Sequence, residues 1–428
     1  MKILLVQPTT LDRNGGPNKW KRPFLPNYTL PYLSALTPRG VEVEIADEKV
    51  DSIDFGGGYD LVGISALTSQ AVRAYGIADR FREAGIPVVM GGIHVTALPE
   101  EAARHCDAVV MGEAENVWVQ VLEDAARGRL KGVYRANGFH DMKDLPAPRF
   151  DLLKRKDFIS PFLPILATKG CPHDCDFCSV SRFFGKSYRF RPLEDVIREI
   201  TASGAKRFTF VDDNITANRN YSKELFKAMI PLGVQWLGQC TINLGRDPAL
   251  CRLAAESGCC FMSIGIESVD EDNLASIDKS WNRVKEFPEL LSNIRKSGIG
   301  LALNMIVGLD NDDRGIFRKT LRFLMDNRAF TLILNTPIPY PGTRLAQRLD
   351  TEGRLLHTNW SGYTQGSILY TPRRISAGEL EAGYWSLLDD FFSYPSIARR
   401  ALGQSCRNLP YYFKRNLDLH MSVKRRVY

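Results

Sequence analysis

The sequence lacks two features that would have placed it at a membrane. Although 44% of its 428 residues are hydrophobic, no uninterrupted apolar run approaches the roughly 20 residues needed to cross a bilayer. The apolar stretch Lys2–Val6 is followed at once by Gln7 and Pro8, which is too early for a signal peptide. We therefore expect a cytoplasmic protein whose first segment is a buried strand.

Most of the chain also lacks an excess of charge of either sign. The formal net charge is +7, yet residues 394–428 contain eight basic residues and a single acidic one, Asp418. Outside this tail the numbers of basic and acidic residues are equal, which argues against a nucleic-acid partner. The tail mixes its charges with Tyr412, Phe413 and Leu417. It is therefore suited either to peripheral contact with an anionic membrane or to exposure as a solvated charged segment.

The nine cysteines are an odd number in a long chain, which favours a reducing compartment and metal ligation over a disulfide framework. Three of them, Cys171, Cys175 and Cys178, form a CxxxCxxC loop. Three thiolates can hold three irons of a [4Fe–4S] cubane and leave the fourth iron open for a ligand. A zinc site or three unrelated cysteines are the alternatives. A zinc site is disfavoured because the sequence has no second CxxC pair.

Alternating strand and helix patterns divide the chain into two β/α regions. Residues 1–135 predict a flavodoxin-like (Rossmann-like) parallel sheet, and residues 136–160 have the composition of a linker. Residues 161–345 predict a partial (β/α)6 barrel, in which functional residues belong at the carboxyl ends of the strands. Residues 346–428 predict a mainly helical extension that ends in the basic tail.

The triplet lies directly after the first predicted barrel strand, and further polar or glycine-rich segments end the later strands. Asp212, Asp213 and Asn214 end the second strand. The alternative role of Asp213 or Asn214 is to cap a helix or a turn. Gln239 ends the third, Glu267 follows Gly265 at the end of the fourth, and Ile306 lies near the end of the fifth.

This sequence resembles the radical S-adenosylmethionine superfamily in three features. They are the triplet with Phe177 before its last cysteine, the β/α order and the Gly265-Ile266-Glu267-Ser268 element. The resemblance implies that the open iron chelates S-adenosylmethionine, and that one electron then releases a 5′-deoxyadenosyl radical. It also implies contacts of S-adenosylmethionine with the residues that lie around the barrel mouth: Phe177, Asp212, Asp213, Asn214, Gln239, Glu267 and Ile306.

The N-terminal sheet and the Pro-Tyr-Pro-Gly-Thr element at 339–343 resemble the cobalamin-dependent branch of that superfamily, which implies cobalamin as a third cofactor. The implied cobalamin contacts follow the third, fourth and fifth strands: Ser65, Ala66, Leu67, Gly91, Gly92, His94, Gly112 and Glu113. The loop from Pro8 to Pro31 departs from the branch because it contains no histidine, so a histidine ligand to cobalt is not expected there. For His94, a structural role is favoured over ligation.

We therefore predict a radical enzyme that methylates an unactivated carbon of a small-molecule or lipid-like substrate, with flavodoxin or ferredoxin as the reducing partner. Oxidation, cyclisation or rearrangement with retained cobalamin is the first alternative, and a non-catalytic carrier of cluster or cobalamin is another. A methylthiotransferase acting on RNA is disfavoured, because Cys106 is alone in the first region. The C-terminal extension is expected to close the open side of the barrel.

Overall fold

The computed structural model describes residues 1–12, 14–19, 23, 25–154, 158, 162–356 and 359–426. Parts of the predicted linker (155–157, 159–160) and the last two residues of the basic tail lie outside the described residues. The chain divides into two compact units. Unit 1 comprises residues 1–165, 182–185 and 359–363, and unit 2 comprises residues 166–181, 186–358 and 364–428.

Unit 1 is built on a six-stranded parallel sheet in the order β2-β1-β3-β4-β5-β6. Its strands are β1 (Lys2–Gln7), β2 (Glu42–Asp47), β3 (Leu61–Ser65), β4 (Val88–Gly91), β5 (Ala108–Met111) and β6 (Val133–Arg135). Its helices are α1 (Thr29–Leu36), α2 (Ala71–Glu83), α3 (Ile93–Ala97), α4 (Pro99–Ala102) and α5 (Trp118–Ala126). This is the flavodoxin-like arrangement that the sequence predicts.

Both faces of the strands β1, β3, β4 and β5 are buried, which explains why they are apolar runs without polar alternation. The edge strand β2 differs, since its Glu42 and Glu44 are exposed. Leu4 and Val6 pack with α2 on one face, whereas Ile3 and Leu5 pack with α5 on the other. Burial of the sheet therefore leaves only the strand ends open for function.

Unit 2 is built around a second sheet, in which β10 to β14 are parallel and lie in the order β14-β13-β12-β11-β10. Strand β7 (Leu163–Ile165) still belongs to unit 1. The strands of unit 2 are β8 (Thr168–Lys169), β9 (Arg189–Phe190), β10 (Arg207–Phe210), β11 (Gln235–Thr241), β12 (Cys259–Glu267), β13 (Gly300–Ile306) and β14 (Thr331–Asn335). The apolar run 164–168 predicts a single first strand of the barrel. The structure has two short strands there instead, because Thr168 and Lys169 pair antiparallel with β9.

Helices lie between these strands, as expected for a partial barrel, and continue into the C-terminal extension. They are α6 (Ser179–Phe183), α7 (Leu193–Ala202), α8 (Arg219–Met229), α9 (Pro248–Glu256), α10 (Glu271–Ser276), α11 (Phe287–Lys296), α12 (Ile316–Asp326), α13 (Arg344–Thr351), α14 (Ala377–Phe391), α15 (Tyr394–Ala401) and α16 (Leu409–Lys424). Among the described helices, none combines the length and apolarity required to cross a membrane.

The extension contacts both ends of the barrel strands, whereas its closing of the open side of the barrel stays a prediction. At the carboxyl ends, the Tyr370 hydroxyl donates to the carbonyl of Gly308, just after β13. At the amino ends, Asn408 donates to the carbonyls of Cys260 (2.7 Å) and Gly298 (3.0 Å), and Asn416 donates to that of Phe330 (2.9 Å). Helix α16 and the turn before it are therefore anchored opposite the barrel mouth.

Arg400 anchors the same end from within the protein. Its side chain is fully buried, and its guanidinium donates to the carbonyls of Ala329 (2.9 Å), Phe330 (3.2 Å) and Phe391 (2.9 Å). Burial lowers the pKa of Arg400 to about 10, so the group still carries its charge at neutral pH. Several backbone acceptors thus depend on one buried cation.

We predict that Arg400→Met lowers the free energy of unfolding by about 2–4 kcal/mol, because it leaves buried carbonyls without donors. Arg399→Met is the matched control, since Arg399 is the exposed neighbour and should change stability by less than about 0.5 kcal/mol. Urea denaturation followed by circular dichroism measures both. Equal midpoints for the two variants would contradict the anchoring role.

Candidate active site

The cysteine triplet lies on the loop that joins β8 to α6, at the mouth of the unit 2 barrel. The amide of Cys178 donates to the carbonyl of Cys175 (3.2 Å), which closes a tight turn between two of the thiols. Burial raises the pKa of Cys175 to about 12 and also raises the pKa of Cys171 and of Cys178. The free thiols are therefore protonated at neutral pH, and metal binding must release their protons.

The donor chemistry of this loop fits an iron–sulfur cluster. Three thiols from one short loop can each supply a ligand to a different iron, as a three-cysteine cubane requires. Among the described residues, no three histidine, cysteine or carboxylate side chains converge as a site for a single metal ion. A cubane differs from such a site because its thiolate ligands surround a cluster and do not converge on one ion.

The Asp212-Asp213-Asn214 segment after β10 is hydrogen-bonded to the chain just before the triplet. Asp212 accepts from the amide of Ala167 (3.2 Å), and from the amide (2.5 Å) and the hydroxyl (2.6 Å) of Thr168. It is 3% exposed, and burial raises its pKa to about 7 against the effect of these hydrogen bonds. Asp212 thus holds the chain just before the triplet, which is a structural task that the sequence did not reveal.

Asp213 and Asn214 lie closer to the thiols. Asp213 accepts from the amide of Gly170 (3.2 Å), and burial raises its pKa to about 6. The side chain of Asn214 is hydrogen-bonded to the thiol of Cys171, which opposes in part the rise in the pKa of that thiol caused by burial. Both residues therefore position the first cysteine of the loop.

Glu267 ends β12 in an unusual backbone conformation, and an ion pair holds it there. Its φ is +69°, and the register of β12 against β13 shifts between Gly265 and Glu267, so the bulge redirects its side chain. Its carboxylate is 2.6 Å from the Lys279 ammonium, with only 10% and 6% of the two side chains exposed. A Cβ on Gly265 would lie 2.5 Å from Glu267 Oε1 and 2.9 Å from Lys279 Nζ, so a side chain there would displace this ion pair.

Lys279 also belongs to a stack that reaches the triplet loop. Its ammonium lies 5.3 Å from the centre of the Trp281 ring, and this ring stacks on His173 with centroids 4.1 Å apart. His173 lies between Cys171 and Cys175 in the sequence. Lys279 and Trp281 were not predicted as site residues, because nothing in their sequence spacing indicates such a role.

The remaining residues predicted around the barrel mouth form an apolar group and a polar group. Phe177 packs with Ile277, Ile306 and Leu309, so the predicted Phe177 and Ile306 are neighbours. Gln239 is exposed, and its amide donates to the carbonyl of Asp213 (3.3 Å). The neighbouring strands β12 and β13 contribute Ser263 and Asn304, which form a hydrogen bond of 2.9 Å that the sequence analysis did not predict.

Helix α13 clamps the triplet loop through the two aspartates between its cysteines. Arg344 Nη1 lies 2.7 Å from Asp174 Oδ2, and Arg348 Nη2 lies 3.3 Å from Asp176 Oδ2. Thr343 caps this helix by accepting from the amide of Ala346 (3.2 Å). The Pro-Tyr-Pro-Gly-Thr element therefore starts the helix whose first turns hold the loop. The i, i+4 spacing of the two arginines was a readable signal that the sequence analysis missed.

In unit 1, the predicted cobalamin residues lie at the carboxyl ends of β3, β4 and β5. The amide of Ala66 donates to the carbonyl of Gly91 (3.1 Å), which holds the first two loops side by side. Gly92 has a φ of +100°, and a Cβ there would lie 2.8 Å from the carbonyl oxygen of Ala66. Leu67 is 53% exposed, and the Gly112 amide donates to Thr96 Oγ1 (3.0 Å). The close backbone approach and the exposed Leu67 fit a groove edge for a flat cofactor.

His94 and Glu113 point away from this edge. His94 is fully buried, its Nε2 lies 2.9 Å from the Tyr75 hydroxyl, and burial lowers its pKa. Glu113 Oε2 accepts from the amide of His140 (2.8 Å). The side chain of His94 therefore supports the loop from the core, as the sequence analysis favoured, and the carboxylate of Glu113 holds the connector.

A short piece of the C-terminal extension, residues 359–363, also belongs to unit 1. Trp360 Nε1 donates to Glu101 Oε1 (2.7 Å), which also accepts from the Tyr75 hydroxyl (2.9 Å). The Trp360 ring meets the His94 ring edge-on with centroids 5.3 Å apart. This seal over His94 was missed because it joins residues about 260 positions apart, and no local pattern indicates it.

Comparison with known proteins agrees with both units. The family model described as the Radical SAM superfamily matches residues 165–324, and the B12 binding domain matches residues 25–122. Bacteriochlorophyllide d C-12(1)-methyltransferase of Chlorobaculum tepidum is 34% identical over 87% of this chain and 84% of its own length. Bacteriochlorophyllide d C-8(2)-methyltransferase of the same organism is 30% identical over 77% of each.

Among solved structures, the radical S-adenosylmethionine methyltransferase TsrM from Kitasatospora setae, with cobalamin and a [4Fe–4S] cluster bound, shares the fold. It covers 99% of both chains at 17% identity, with a TM-score of 0.70. The chain belongs to the cobalamin-binding radical S-adenosylmethionine enzymes, and specifically to their methyltransferase family. Its cofactors are accordingly a [4Fe–4S] cluster, S-adenosylmethionine and cobalamin.

We predict that Arg348→Met lowers the free energy of unfolding by about 2–3 kcal/mol, because it leaves the buried carboxyl of Asp176 without its cation. It should also reduce the iron bound per chain after anaerobic reconstitution. Arg344→Met should cost less than about 1 kcal/mol, since its pair with Asp174 is partly exposed. Arg318→Met, at an exposed position on α12, is the control. If all three variants hold equal iron and melt alike, α13 does not act as a clamp.

A second prediction concerns the loop after β4. Gly92→Ala forces a side chain into a left-handed conformation against the Ala66 carbonyl, and we expect it to weaken cobalamin binding by about tenfold or more. Gly76→Ala on α2, where an added Cβ would meet no atom within 4 Å, should bind cobalamin as the wild type does. Absorbance titration of the apoprotein with hydroxocobalamin compares them. Unchanged affinity in Gly92→Ala would separate this loop from the cobalamin site.

Proposed function

We propose that this protein methylates an unactivated carbon of a small, largely apolar or lipid-like molecule, with a tetrapyrrole pigment as the first candidate. The observation that carries the proposal is the similarity to two bacteriochlorophyllide C-methyltransferases, which extends over most of both chains. The thiol triplet at the barrel mouth and the glycine-lined loops of unit 1 supply the two cofactor sites that such chemistry needs.

Within this proposal, Cys171, Cys175 and Cys178 are the cluster ligands. When bound, the cluster supplies the electron that cleaves S-adenosylmethionine, and cobalamin carries the methyl group. The task of the protein is to fix the thiols and to keep water from the reacting atoms. The hydrogen bonds of Asp212 and the arginines of α13 serve the first task, and the packing of Phe177 serves the second.

The same proposal assigns the binding of S-adenosylmethionine to the strand ends. Asp213 and Gln239 are proposed to accept hydrogen bonds from the methionine ammonium and the ribose hydroxyls. They lie together at the carboxyl ends of β10 and β11. Phe177 and Ile306 are proposed to line the adenine, since they form an apolar wall. The Glu267–Lys279 pair is proposed to fix the polar floor beside them, whereas Asp212 and Asn214 position the loop.

Cobalamin is proposed to bind against Ser65, Ala66 and Leu67 and the facing Gly91 and Gly92. The exposed Leu67 and the glycine backbone offer a flat apolar and amide surface for the corrin ring. His94 and Glu113 are proposed to act behind this surface, through the loops that they hold, and Gly112 to supply the third loop.

The overall reaction balances with two molecules of S-adenosylmethionine and two electrons for each C–H bond that becomes C–CH3. One molecule gives its methyl group and leaves as S-adenosylhomocysteine. The other takes up the substrate hydrogen and leaves as methionine and 5′-deoxyadenosine. The two electrons come from a low-potential reductant such as flavodoxin or ferredoxin.

The test is anaerobic turnover of the reconstituted protein with methyl-deuterated S-adenosylmethionine, a low-potential reductant and bacteriochlorophyllide d, analysed by mass spectrometry. We expect a product that carries a deuterated methyl group, with S-adenosylhomocysteine and 5′-deoxyadenosine formed in equal amounts. Cys175→Ala should abolish 5′-deoxyadenosine, whereas Cys406→Ala, an exposed cysteine outside the triplet, should turn over normally.

Other outcomes separate the alternatives. Substrate-dependent 5′-deoxyadenosine without S-adenosylhomocysteine would point to oxidation, cyclisation or rearrangement and would contradict the methyl transfer. Absence of 5′-deoxyadenosine from a protein that holds its full cluster would contradict the radical step itself. Turnover with a lipid but not with the pigment would keep the reaction and replace the substrate class.

A further inference from the structure

The outer face of α16 carries an apolar row that is open to solvent along much of its length. Helix α16 packs inward through Tyr412, Asn416 and His420, all of which are buried. On an adjacent side, about 100° around the helix from this buried row, Phe413, Leu417 and Met421 are 41%, 40% and 48% exposed. They are spaced four residues apart, so they form one continuous row along the helix.

Two further apolar side chains from the preceding helix and turn are exposed in the same helical region. Tyr394 is 60% exposed and lies against His420, with ring centroids 4.3 Å apart, which places it beside the row. Leu402 is 80% exposed, the highest value among the exposed large hydrophobic residues of the described chain. We call Tyr394, Phe413, Leu417 and Met421 the α16 patch.

Basic residues surround this patch. The exposed cations of α15, α16 and their flanks are Arg399, Arg407, Lys414, Lys424, Arg425 and Arg426. Lys424 and Arg426 pair with Asp389, and Asp418 is the one acidic residue of the tail. Since the rest of the chain carries equal numbers of acidic and basic residues, the net positive charge of the protein is concentrated in residues 394–428, which include α16.

An apolar row bordered by cations is the pattern of a helix that lies in the surface of an anionic membrane. The apolar side chains enter the acyl boundary, while each lysine or arginine near the surface is attracted to the anionic headgroups. We propose that the α16 patch docks this protein on an anionic lipid surface. The proposal does not depend on the reaction or on the substrate that is methylated.

An acidic electron-transfer protein is the other partner that a basic surface attracts, and the location of the patch argues against it. Helix α16 is anchored at the amino ends of β12, β13 and β14, whereas the thiol triplet lies at the carboxyl ends of the barrel strands. The nine residues of β12 alone span about 30 Å. An electron donor docked at the patch would therefore face the wrong end of the barrel, and a charged protein interface would not require the apolar row.

The test is flotation of the full-length reconstituted protein with phosphatidylcholine vesicles that contain or lack phosphatidylglycerol. We expect binding only to the anionic vesicles, weakened but not abolished by high salt. Phe413→Glu with Leu417→Glu and Met421→Glu should weaken binding by at least about tenfold, because three apolar anchors are replaced by negative charges. Val119→Glu with Ile230→Glu, two exposed apolar residues elsewhere, is the matched control and should bind normally.

Lys414→Glu with Arg425→Glu is the second variant, since both positions are exposed and the changes leave the apolar row intact. It should weaken vesicle binding several-fold while thermal melting and cluster absorbance stay unchanged. Failure of the wild type to float with anionic vesicles, or equal flotation of the patch variant and its control, overturns the proposal. So does a patch-dependent dimer in sedimentation, or patch-dependent binding of flavodoxin without vesicle binding. Turnover of a detergent-dispersed substrate should be the same in all variants, which separates this outcome from the reaction.

Discussion

The hold of α13 on the triplet loop is the constraint on which the candidate site depends. The aspartates between the cysteines are clamped by two arginines, and the amide of Leu345 donates to the carbonyl of Asp176 (3.1 Å). The loop after the last barrel strand thereby fixes the loop after the first. A carboxyl as buried as that of Asp176 is costly without its cation, so the loop has one stable arrangement when α13 is in place.

A second buried ion pair, between Glu267 and Lys279, stabilises an unfavourable backbone conformation. Glu267 has a left-handed conformation that costs about 1–2 kcal/mol for a residue with a side chain, and its carboxylate packs against Gly265. The Lys279 ammonium offsets this cost by pairing with the carboxylate and by donating to the Gly265 carbonyl (3.1 Å). Strain that neighbouring contacts hold in place is typical of functional positions, which agrees with the location of Glu267 at the barrel mouth.

The sequence predicted those features that depend on local pattern. The parallel sheet of unit 1 follows from local pattern, because buried parallel strands are short apolar runs between turns, and the triplet follows from cysteine spacing alone. The roles of Asp212, Lys279 and Trp360 could not be predicted. Each depends on a partner between 12 and about 260 positions away, and side-chain pairing over such separations leaves no periodicity.

The C-terminal extension contacts several separate parts of the protein. Its first helix contacts the triplet loop, residues 359–363 cover His94 in unit 1, and α16 lies at the amino ends of the barrel. Radical chemistry at the barrel mouth requires water and stray partners to be excluded, whereas the proposed lipid contact requires exposed charge and apolar side chains. Because parallel strands place their two ends on opposite sides of the sheet, both requirements are met within one unit. The cations around α16 therefore need not perturb the buried carboxylates near the thiols.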